Sequence, residues 1–123
     1  MTQVAPILVV DDDPSILRTV SEILLFEQYK VETATNGAEA LQVLERVQPW
    51  LVLLDMRMPV MDGWSFMQEV RVRGLTMPIL VMTAAQDARR WAEEVRAADF
   101  LPKPFDLDEL LAAVQRLRDK LVS

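Results

Sequence analysis

The chain alternates between short apolar runs and longer segments with helical spacing. Residues 7–10, "ILVV", form a continuous apolar run, and 51–55, "LVLLD", form the strongest one. Runs of this kind, without polar alternation, suit strands of a parallel sheet covered on both faces. Between them, "DPSILRTVSEILLFEQ" (13–28) repeats Ile16, Leu17, Val20, Ile23 and Leu24 at helical spacing. Pro14 suits the first helical position behind an Asp cap. "KVETAT" (30–35) alternates enough for an edge strand, Asn36-Gly37 reads as a turn, and Ala40, Leu41, Leu44 and Val47 mark a second helix that Pro49 ends.

The same rhythm continues to the end. "MRMPVMDG" (56–63) reads as a loop, and Phe66, Met67 and Val70 belong to a third helix. "MPILVMT" (77–83) predicts a fourth strand, Ala88, Trp91, Ala92 and Val95 a fourth helix, and "DFLPK" (99–103) a short fifth strand. Leu107, Leu110, Leu111, Val114 and Leu117 mark the last helix. Five β-α units in alternation predict an open α/β parallel sheet with helices on both faces. With 123 residues and no linker or repeat, residues 1–123 are expected to be a single domain with no output domain attached.

Composition narrows the chemistry. Hydrophobic residues make up 51% and charged residues 26%, an ordinary globular balance. A net charge of -6 disfavours direct binding to a nucleic-acid backbone. The absence of cysteine and histidine excludes thiolate and imidazole metal sites, Ser-His-Asp triads and an internal phosphohistidine. "MTQVAPILVV" reads as neither signal peptide nor membrane span, so a cytoplasmic location and no membrane contact are expected.

In an open parallel sheet, ligands bind outside the carboxyl ends of the strands. Those ends carry Asp11 and Asp12, Asp55, Thr83 and Lys103. Clustered carboxylates repel and are costly to desolvate, so something must compensate them. An all-oxygen set points to a hard cation, best Mg²⁺, which favours a few carboxylates, water and phosphate oxygens. A lysine and a threonine opposite would hold a dianionic group, and an aspartate could accept a phosphoryl group as an acyl phosphate.

With these residues in place the chain resembles the receiver domain of two-component response regulators, in the single-domain, chemotaxis-regulator-like form. The motifs are "ILVVDDDP", "LVLLDMRMPVMDG", "ILVMTA" and "FLPKPF", in order over residues 4 to 120. The resemblance implies a flavodoxin-like (βα)5 fold with strand order 2-1-3-4-5. It implies that Asp55 is the phosphoacceptor and that Asp12 and Asp55 ligate Mg²⁺ directly. Asp11 then acts mainly through a bound water, and the carbonyl of Arg57 adds a ligand. Lys103 pairs with the phosphoryl group and, at rest, with Asp55; Thr83 hydrogen-bonds a phosphoryl oxygen. Phe100 is the switch aromatic, and the Lys103-Pro104 bond is cis. The implied donor is a histidine kinase or a phosphotransfer protein. The implied output is a downstream protein, or self-association as a homodimer, on the face of helix four, strand five and helix five.

Some positions depart from that pattern. Phe100 lacks the phenolic hydroxyl common there, Trp50 replaces a common aspartate, and Arg96 replaces a glycine in a segment from Thr83 to Lys103 that looks short. Arg57, a long cation beside the acceptor, is expected to alter phosphoryl lifetime. Other residues have structural readings. Asp13 caps the first helix, while Met56, Met58 and Met61 pack the loop. Gly63 frees the backbone where helix three begins, and Trp64 is half-packed surface. Trp91 is either core or a partner-facing anchor. Asp106, Asp108 and Glu109 favour the last helix through its dipole. The reading is a switch, rather than a true enzyme, that catalyses only its own phosphoryl acceptance from the implied donor and a slow autodephosphorylation. Its rivals are a Mg²⁺-dependent phosphohydrolase using the same aspartate and an unphosphorylated interaction module.

Overall fold

A computed structural model describes residues 5–84, 87 and 97–122. Strands β1 (Ile7–Val10), β2 (Val31–Ala34), β3 (Leu51–Asp55), β4 (Ile79–Ala84) and β5 (Asp99–Lys103) form one parallel sheet in the order β2-β1-β3-β4-β5. Four helices lie among the described residues: α1 (Pro14–Phe26), α2 (Gly37–Arg46), α3 (Gly63–Val72) and α4 (Leu107–Val122). The last of these is the fifth helix expected from the sequence. The expected fourth helix, with Ala88, Trp91 and Arg96, falls outside the described residues.

Side chains alternate across the sheet, so each central strand feeds two cores. Leu8, Val10, Val52, Leu54 and Val81 pack with Ala40, Leu41 and Val43 of α2 and Phe66, Met67 and Val70 of α3. Ile7, Val9, Leu53, Leu80 and Met82 pack with Val20 and Leu24 of α1 and Leu110, Ala113, Val114 and Leu117 of α4. This double burial explains the unbroken apolar runs of β1 and β3. Strand β2, at the sheet edge, is only partly buried, which explains its mixed sequence.

Caps fix where the helices begin. Asp13 accepts the Ser15 N–H at 2.9 Å ahead of Pro14, as expected. Asn36 is an N-cap rather than part of a free turn: it accepts the Glu39 N–H at 2.9 Å, and Glu39 reaches back to the Thr35 N–H at 3.0 Å. Asp62 caps α3 through the Ser65 N–H at 2.8 Å. Asp106 and Glu109 exchange reciprocal bonds at the start of α4, so their role is capping as much as charge. Helix α2 ends at Arg46, short of Val47, and β4 starts at Ile79, just past Pro78, which has no N–H to give a ladder.

Two loop details differ from expectation. Gly63 is required for space, not for backbone freedom: a Cβ there would lie 2.8 Å from Met56 Cα and 2.9 Å from the Asp55 carbonyl oxygen. Trp50 is buried at the end of the sheet opposite the carboxyl rim, 6.0 Å from the Tyr29 ring, and Arg118 donates to the Tyr29 hydroxyl at 3.2 Å. An aspartate at position 50 would have no place in that apolar cluster.

Candidate functional site

Register decides which strand-end residues meet. Val10 pairs with Leu54, so Asp11 lies beside Asp55. Asp55 pairs with Met82, which places Thr83 one residue farther out on β4. Thr83 pairs with Pro102 and Ala84 with Lys103, so the lysine stands at the same rim. All of the expected strand-end residues thus emerge at one edge of the sheet.

One carboxylate oxygen from each of Asp11, Asp12 and Asp55 lies within 4.8 Å of the other two. Asp11 is fully buried, Asp55 is 5% exposed, and Asp12 opens to solvent. Both oxygens of Asp11 are occupied: Oδ1 accepts the Asp13 N–H at 2.9 Å and Oδ2 accepts Lys103 Nζ at 2.9 Å. Lys103 Nζ is 3.5 Å from Asp55 Oδ1. The expected resting pair of Lys103 and Asp55 is therefore the longer of two contacts, because the buried Asp11 has the greater need of a cation. Lys103 precedes a cis bond to Pro104, as expected.

These contacts leave Asp55 strained as an anion. Burial, then the charge of Asp11 and to a smaller degree that of Asp12, raise its pKa to about 6. Lys103 and the Arg57 backbone N–H act in the opposite sense but do not cancel the rise. For Lys103, burial disfavours the charged amine, yet the Asp11 hydrogen bond and the charge of Asp55 outweigh it and raise the pKa. One amine facing three carboxylates leaves negative charge uncompensated. Oxygen donors alone, clustered at this spacing, fit a hard divalent cation such as Mg²⁺.

Thr83 is buried at the end of β4. Phe100, opposite Val81 on β5, is partly buried and packs on the core shared with α2 and α3. Met56 and Met58 are buried loop anchors, and Met61 packs beside them. The Arg57 side chain is 71% exposed and reaches Asp87, Nη2 to Oδ2, at 2.8 Å. Asp87 had no signal in the sequence, since the bond spans 30 positions and joins segments that only the sheet brings together.

Residues 7–115 match the family model for the response regulator receiver domain. The chain is 41% identical over 113 residues to the response regulator MprA of Mycobacterium leprae, covering 90% of this chain and 50% of that protein. The chemotaxis response regulator CheY4 of Vibrio cholerae superposes with a TM-score of 0.85 at 35% identity, over 94% of this chain and 99% of that one. The response regulator TrrA of Thermotoga maritima, solved in complex with Mg(2+)-BeF, gives 0.81 at 33% identity, over 93% and 99%. The chain spans half or less of the length of curated relatives such as MprA.

Proposed function

The chain belongs to the response regulator receiver domain family, and from that premise we propose that Asp55 is the phosphoacceptor of a Mg²⁺-dependent signalling switch. The observation that carries the reading is the convergence of Asp11, Asp12 and Asp55 within 4.8 Å under the Lys103 amine. A phosphohistidine on a histidine kinase or phosphotransfer protein is the donor, because this chain has no histidine of its own. Its N–P bond breaks as an Asp55 oxygen bonds to phosphorus, and the freed imidazole takes up a proton.

Each residue has a task in that transfer. Asp55 must be ionised to attack, and above its pKa of about 6 it mostly is. Mg²⁺ held by Asp12, Asp55 and the Arg57 carbonyl, with Asp11 through water, would neutralise charge on the phosphoryl oxygens. Lys103, keeping its bond to Asp11, also donates to a phosphoryl oxygen, and the Thr83 hydroxyl donates to another. Thr83 then leaves space for Phe100 to turn inward. Lacking a phenolic hydroxyl, Phe100 is held there by packing alone. The reshaped surface, at β5 and α4, meets a downstream protein or a second copy of the chain in the cytoplasm.

Mass spectrometry after incubation with acetyl phosphate and Mg²⁺ tests this. The wild type should gain one phosphoryl group and Asp55→Ala none. Equal labelling of both proteins refutes Asp55 as acceptor, and continuous turnover of a phosphomonoester makes the chain a hydrolase instead.

A further inference from the structure

Arg57 and Asp87 join the segments that follow β3 and β4, and we propose that this ion pair is a latch. Asp87 holds the Arg57 guanidinium away from the acidic pocket until a phosphoryl group on Asp55 draws it in. The inference rests on the phosphorylation reading above. Arg57 follows Asp55 by two positions, and its backbone N–H favours the ionised form of the Asp55 carboxyl. Its side chain is turned outward to Asp87, 2.8 Å away. Asp87 is four positions past Thr83, and its side chain is 17% exposed against 71% for Arg57, so the pair is covered at one end and open to solvent at the other.

Charge decides where the guanidinium goes. With a divalent cation bound, Lys103 and the cation together balance the three carboxylates. Replacing one carboxylate by a phosphoryl group of about two negative charges leaves one charge unmatched. Lys103 cannot serve fully, because the buried Asp11 also demands it at 2.9 Å. Arg57 is the described cation nearest in sequence to the acceptor, and its planar fork suits phosphate oxygens better than a single ammonium does. A pair so exposed on the arginine side is weakly held. The phosphoryl dianion therefore outcompetes Asp87. Loading of the pocket is then reported to the segment after β4 by two routes, the Thr83 hydroxyl and the release of Asp87.

Binding of beryllofluoride in the presence of Mg²⁺, followed by calorimetry, measures the competition without turnover. Asp87→Asn should tighten binding roughly two- to fivefold, the range expected for breaking an exposed competing pair. Arg57→Ala should weaken it, and Arg57→Lys should restore part of the loss. In the Arg57→Ala background, Asp87→Asn should have no effect. Asp87→Ser provides the same comparison with a different side chain. A wild-type affinity unchanged by both Asp87 variants, or shifted equally with and without Arg57, overturns the latch. Binding that survives Asp55→Asn overturns the phosphorylation reading itself, so the two failures are distinguishable.

Discussion

Asp55 is costly to the fold that holds it. Its pKa rises from 3.8 to about 6, first through burial and then through Asp11. A carboxyl whose folded pKa lies above its unfolded value binds protons more tightly when folded. Stability is therefore lost as pH rises from about 4 through about 6, and the full cost is present above that window. Without divalent ions, Asp55→Asn should stabilise the protein by about 1–3 kcal/mol at pH 7.5 and by much less at pH 4.5. Urea unfolding at the two values checks it; a gain that does not depend on pH contradicts the assignment of strain to this carboxylate. Lys103 makes no such window, since its raised pKa keeps it charged throughout that range. The identity of these residues was legible in the sequence because each stands at the end of an apolar run. The preference of Lys103 for Asp11 was not, because it depends on which oxygen is buried.

At the scale of elements, helix α3 positions the acceptor through a close approach rather than through a hydrogen-bonded side chain. Gly63, its first residue, donates its N–H to the Met56 carbonyl at 3.0 Å and lies against the backbone of Asp55. Gly63→Ala should cost about 1–3 kcal/mol, as overpacking does when the obstructing atoms are backbone. It should also slow labelling of Asp55 by acetyl phosphate, because the residues forced aside carry the acceptor. Loss of stability with unchanged labelling would show the loop to be independent of α3. The preceding Val60 adds tension of its own: it is β-branched, 84% exposed and held at φ 70°. Element boundaries read well from caps, since Asp13 acts within two residues of itself. Asn36 has a turn signature in the sequence yet caps α2, because turns and N-caps favour the same short polar side chains.

Over the whole molecule, three of the 19 acidic residues meet at one rim of a chain with a net charge of -6. A cation that binds only the folded pocket must raise stability by mass action. Mg²⁺ at a hundred times its dissociation constant should add about 2.7 kcal/mol, seen as a higher melting temperature that EDTA reverses. Asp12→Asn should remove most of that gain. A melting temperature indifferent to Mg²⁺ would mean that the three carboxylates are held for another purpose. Among the described residues, no helix is long and apolar enough to cross a membrane.

The sequence by itself determined the strands, most helix starts and the chemical character of the strand ends. These depend on local patterns: apolar runs that must be covered on both faces, and side chains that bond to backbone a few residues away. The tertiary structure alone decided the partners. Lys103 meets Asp11 across 92 positions and Arg57 meets Asp87 across 30. Such pairs exist only after strand order and register have set the distances between segments, and charge pairing at 3 Å depends on those distances rather than on the residues' order along the chain.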